Sequence, residues 1–85
     1  MRNKQTIKVS EARILVLLEN VDENMRHISA IAHKLGIDYN YALHILAGMK
    51  EKKWVKVKST GLKTLNYITK AAPLDKAKEL LIEWG

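Results

Sequence analysis

Cysteine is absent from the 85 residues. That excludes disulfides, thiolate metal sites and a cysteine nucleophile, and it is compatible with a reducing cytoplasm without proving one. No apolar run approaches the roughly 20 residues a membrane span needs; the longest is Ile14 to Leu18. Met1-Arg2-Asn3-Lys4 is basic, yet no signal-peptide apolar region directly follows it. His27, His33 and His44 have no spacing that matches a zinc set. No Ser-His-Asp set, paired-carboxylate, phosphate-loop or dinucleotide signature appears, and the acids are expected at solvent-facing positions. The expectation is a chain that is not an enzyme, with no catalytic residues, no metal and no cofactor. Linkers, internal repeats and low-complexity segments are also missing, so the length bounds one domain.

What is present is apolar residues at 47% and a net charge of +6. The apolar share is ample for a core and argues against disorder. A chain this short hides only about 60% of its extended surface on folding, so its stability is expected to be modest. The charge is concentrated. Residues 9–49 carry a slight acidic excess, and residues 64–85 balance. Residues 50–63 hold Lys50, Lys52, Lys53, Lys56, Lys58 and Lys63 against Glu51 alone. A polyanion partner follows from such clustering, with a solvated lysine-rich face as the plain alternative. Residues 1–9 read as a basic N-terminal segment with Arg2, Lys4 and Lys8, either a tail or an arm along phosphates. The folded domain is expected over 10–85.

Along the chain, Ser10 followed by Glu11 predicts an N-cap and a first helix to about Asn20. Ile14, Leu15, Val16, Leu17, Leu18 and Val21 leave it almost no polar stripe, so it must be covered on more than one side. Met25-Arg26-His27 predicts a short strand. A second helix starts at or just before Ser29, with Ile28, Ile31, Ala32 and Leu35 as its core face and Gly36 at its end. Asp38 caps a third helix from Tyr39 to about Lys52, whose buried stripe is Ala42, Ile45, Leu46 and Met49. From Trp54, itself expected in the core, the apolar period changes to two. Val55 and Val57 alternate with Lys56 and Lys58, Ser59-Thr60-Gly61 supplies turn chemistry, and Thr64–Thr69 is rich in strand formers. Thr69 or Ala72 then caps a last helix, with Pro73 in its first turn and Leu74, Ala77, Leu81 and Trp84 on one stripe. The fold class is α+β: helix, short strand, two helices, a hairpin and a final helix.

The segment Ile28–Leu46 follows helix-turn-helix grammar. Small Ala32 lets two helices cross closely, Gly36 permits the tight turn, and Ile37 fills the space between them. The stretch from His27 to Leu46 resembles the helix-turn-helix of winged-helix regulators, and Trp54–Thr69 resembles their wing. The resemblance spans about residues 10–84 and is nearest in kind to small archaeal and viral transcription regulators. It implies a winged helix-turn-helix DNA-binding domain whose third helix enters the major groove while the wing touches the backbone. Carried residue by residue, the groove-facing positions are Tyr39, Asn40, Tyr41, Leu43 and His44, with Ala47 as a further candidate. Lys56, Lys58 and Lys63 supply phosphate contacts from the wing, with Lys50, Lys52 and Lys53 beside them. The sequence departs from the pattern at three positions, Leu43 where small polar residues are usual, His44 where a basic residue is frequent and Lys53 in place of the glycine that usually ends the third helix, and that helix has no arginine. The implied partner is double-stranded DNA and the implied location the cytoplasm, at the nucleoid. A homodimer through the first helix and Leu80, Leu81 and Trp84 is a further expectation. The alternatives are a protein-interaction module within a transcription or replication assembly, and a sequence-independent DNA-packing protein.

Overall fold

The computed structural model describes residues 7–61 and 63–84. Its elements are α1 (Val9–Glu19), α2 (Ile28–Leu35), α3 (Tyr39–Glu51), β1 (Val55–Thr60), β2 (Lys63–Ile68) and α4 (Leu74–Trp84), with a single 3-10 turn at Glu23–Met25. The class is α+β, four helices and one two-stranded antiparallel sheet among the described residues.

The first helix starts upstream of the serine expected to cap it, and the second starts just before Ser29, one of the two starts expected. Lys8 is the N-cap of α1, and Glu11 at the third helical position accepts a 3.0 Å hydrogen bond from the Lys8 backbone N–H. That is the glutamate half of a capping box, so Glu11 sets where the helix begins and Ser10 falls inside it. His27 caps α2 through Nδ1, which accepts from the Ala30 N–H at 3.4 Å, and this leaves Ser29 in the first turn. Asp38 caps α3 as expected, with its carboxylate accepting from the Asn40 N–H at 2.9 Å. Between the two helices, Gly36 takes φ 68°. The Gly36 N–H donates to the His33 carbonyl and the Ile37 N–H to the Ala32 carbonyl, which is the paired bond pattern of a Schellman cap.

The core gathers Ala12, Ile14, Leu15 and Leu18 of α1, Ile31 of α2, Ile45, Leu46 and Met49 of α3, Trp54, Val55 and Ala77 of α4. All four residues expected on the α3 stripe are buried. α1 packs along α4, and Val16, Leu17, Leu80 and Leu81 are half-buried against the same core. Much of the apolar surface that motivated a dimer seam is thus covered within one chain; the Trp84 side chain lies outside the described residues. Pro73 sits just before α4 rather than within its first turn. The Thr69 hydroxyl donates to the Lys53 carbonyl instead of capping α4, so the start of β1 is tied to the end of β2.

The short strand expected at Met25–His27 does not form. Arg26 has helical backbone angles (φ −95°, ψ −2°), which cannot continue a ladder. One strand-like contact survives: the Arg26 carbonyl accepts from the Asn66 backbone N–H at 2.9 Å and from Asn66 Nδ2 at 2.8 Å. The Arg26 guanidinium turns back and donates to the carbonyls of Leu18, Val21 and Asn66 at 3.1, 2.9 and 3.3 Å. It also lies 4.4 Å from the centre of the Tyr67 ring. A side chain does what a third strand would have done.

Candidate nucleic-acid interface

α3 presents its outward face because its inward face is spent on the core. With 3.6 residues per turn, burial of Ala42, Ile45, Leu46 and Met49 leaves Asn40 and His44 one turn apart on the opposite side, both exposed. Tyr39 and Leu43 lie along the edge of α3 that faces the hairpin, and Tyr41 lies toward the other edge. The expected groove-facing residues are therefore all exposed, but they form a broad face rather than one tight cluster.

The hairpin pairs Val55 with Ile68, Lys56 with Tyr67, Val57 with Asn66, Lys58 with Leu65, Ser59 with Thr64 and Thr60 with Lys63. Ser59 and Thr60, expected in the turn, extend the strand, and the turn falls at positions 61–62 with Gly61 at φ 65°. Side chains alternate across the sheet. Val57 and Asn66 face a cleft beside α3, whereas Lys56 and Lys58 take the alternate positions of β1. Lys63, next to the tip, joins Lys50 of α3 at that cleft. The expected lysines thus separate: Lys50 and Lys63 border the cleft, Lys56 and Lys58 extend along the hairpin, and Lys53 is exposed at its base.

Lys52 has another occupation. Its Nζ donates to Glu11 Oε2 at 2.8 Å and lies 4.4 Å from the Trp54 ring centre. Glu11, expected at a solvent-facing position, is only 5% exposed. Its two oxygens accept from the Lys8 N–H and from Lys52, which answers the cost of burying a carboxylate. Lys52 therefore joins the end of α3 to the start of α1. Among the described residues no group of three or more His, Cys, Asp or Glu side chains is placed to hold a metal, and no helix is long and apolar enough to cross a membrane.

The cleft between α3 and the hairpin has a volume of about 550 Å³. Its apolar lining includes Ile28, Leu43, Leu46, Ala47 and Val57; His27, Ser29, Thr64 and Asn66 add polar groups. Sequence reasoning missed this concavity. Residues 27–29 and 64–66 have no shared period, and the contacts of Arg26 with Asn66 and Tyr67 bring them together across some 40 residues. No protein-family profile, curated protein or solved structure matches the chain.

Proposed function

We propose that this chain is a winged helix-turn-helix protein that binds double-stranded DNA as a transcription regulator, with α3 in the major groove and the hairpin as the wing. The observation that carries the reading is the exposed outer face of α3 lying beside a hairpin that bears Lys56, Lys58 and Lys63. Helix-turn-helix geometry is supported by the Gly36 cap, the Asp38 cap and the burial of the small Ala32 on α2. The third strand common in such domains is reduced here to the Arg26–Asn66 contact. In this reading Asn40 and His44 face base edges, Tyr39, Tyr41 and Leu43 flank them, and Lys50, Lys53, Lys56, Lys58 and Lys63 meet phosphates. The domain acts by binding alone, and no catalytic step is assigned to it.

Duplex binding measured across a salt series tests the proposal. Affinity falls steeply with salt, and each phosphate contact removed takes about 0.9 from the slope of log affinity against log salt. Lys56, Lys58 and Lys63 changed together to alanine reduce that slope. Asn40→Ala then costs about 1–3 kcal/mol on a selected site and little on random duplex. Absence of duplex binding at low salt overturns the DNA reading; equal loss on both duplexes replaces the regulator with a packing protein.

A further inference from the structure

The apolar character of the cleft beside α3 goes beyond what a phosphate-gripping surface needs. Leu43 is 43% exposed, Val57 41% and Tyr39 49%, and all three border the same 550 Å³ concavity. Side chains of this size in contact with water around one cleft, rimmed by charge, are the surface pattern of a protein contact. The two cations at the rim, Lys50 and Lys63, come from different elements, α3 and β2. Neither makes an ion pair with an acid among the described residues, unlike Lys52 and Lys78, which pair with Glu11 and Glu19. The lining is mixed, with His27, Ser29, Thr64 and Asn66 among the apolar side chains. Asn66 is 3% exposed and spends its Nδ2 on the Arg26 carbonyl.

We propose that this cleft is a docking site for an acidic amphipathic segment of a partner protein. The segment places apolar side chains over Ile28, Leu43, Ala47 and Val57 and sets carboxylates against Lys50 and Lys63. Complementarity points to that occupant: the exposed apolar side chains of the lining select against a purely hydrophilic polyanion, and two ammonium groups without an ion pair among the described residues select against a neutral apolar segment. A second copy of the chain is a poorer fit. Among the described residues the most exposed large apolar side chain is Ile82 on α4, and Val9 and Tyr41, exposed outside the cleft, lie on other elements, so no one segment of a second copy is shown with several anchors. Docking does not depend on DNA binding. One consequence does rest on that reading: because Tyr39, Leu43, Lys50 and Lys63 also belong to the proposed DNA face, segment and duplex exclude one another.

The test uses the full chain without DNA and two labelled synthetic peptides of equal negative charge. One carries leucines at helical spacing among glutamates, and the other has glutamine in place of each leucine. Fluorescence anisotropy is expected to show the leucine peptide binding at least about tenfold more tightly, a difference of about 1.4 kcal/mol. Leu43→Gln and Val57→Thr, at exposed positions where folding tolerates a polar side chain, are expected to remove that preference. Lys50→Gln with Lys63→Gln is expected to weaken both peptides. Equal affinity for the two peptides, or no binding of either, overturns the proposal. So does self-association of the chain alone, seen by sedimentation and abolished by both Leu43→Gln and Ile82→Gln, since it gives the cleft to a second copy. Displacement of bound leucine peptide by unlabelled duplex supports exclusion, and simultaneous binding overturns that part alone. A protein that binds the peptide but no duplex retires the DNA reading and leaves the docking site standing.

Discussion

The helical body and the hairpin are held in place by different physics. In the body, α1 lies against α4 and the turn-linked α2 and α3, with Ile14, Leu15 and Met49 fully buried. The hairpin has little of this. Of β1 only Val55 is buried, and Lys56 to Thr60 are all exposed. It is fixed by Trp54 at its base, by Leu65 in mid-strand, both in the interior, and by the polar contacts of Arg26, Asn66 and Thr69. The body is fastened by area removed from water, and the hairpin by a few buried apolar anchors together with directed hydrogen bonds. The difference suits the proposed division of work, since a strand pair that projects past the core carries its lysines outward at no expense to packing.

The comparison breaks first at the core. Leu15→Ala empties a fully buried site in α1, and such truncations cost about 2–5 kcal/mol. A domain of this size has a total stability of the same order, so chemical denaturation should show the whole chain, hairpin included, losing most of its stability in one transition. Arg26→Ala asks the complementary question. It removes donors to three carbonyls and the contact with Tyr67. Charged hydrogen bonds are worth about 1.5–3 kcal/mol each when well shielded. Arg26 is only partly buried, so the expected loss for the set is nearer to about 2 kcal/mol. The informative readout is amide hydrogen exchange. Exchange should accelerate more at Asn66 and along β2 than in α1, because opening the hairpin base does not require opening the core. Uniform acceleration across both regions would mean that the hairpin and body form one cooperative unit.

Legibility in the sequence divides along the same line. The body is local and periodic: the 3.6-residue stripe of α3, the Gly36 stop and the Asp38 cap each lie within a few residues of what they control. The start of α1 is displaced by less than one turn, because a lysine with a glutamate three residues on serves where serine is the commoner signal; at α2 a histidine caps a helix that starts just before Ser29, as one of the two expected starts had it. The hairpin was legible as two alternating strands, but its attachment was not. Arg26 and Asn66 are 40 residues apart, and nothing in the linear pattern says that an arginine side chain will stand in for a strand. The cleft was hidden for the same reason. Its lining joins residues 27–29 to the hairpin through that long-range contact, and Val57, expected on a half-buried strand, is exposed there.

The smallest expected effect lies where the two regions join. α2 and α3 end in the same way: the Lys53 N–H donates to the Lys50 carbonyl and the Trp54 N–H to the Met49 carbonyl, matching the bonds made by Gly36 and Ile37 at the end of α2. The left-handed residue is glycine at one cap, with φ 68°, and lysine at the other, with φ 69°. A non-glycine residue in that conformation costs about 1–2 kcal/mol, whereas glycine returns about 0.5–1 kcal/mol of that gain through the freedom it has when unfolded. Lys53→Gly should therefore stabilise the domain by about 0.5 kcal/mol, a rise of a few degrees in melting temperature. If Lys53 also meets a phosphate, the same variant loses duplex affinity by one charge and lowers the salt slope by about 0.9. A more stable protein that grips DNA less well would explain why a lysine is held in a glycine's conformation between the helix and the hairpin. A gain in stability with an unchanged salt slope would remove Lys53 from the interface and leave the strained backbone without a binding role.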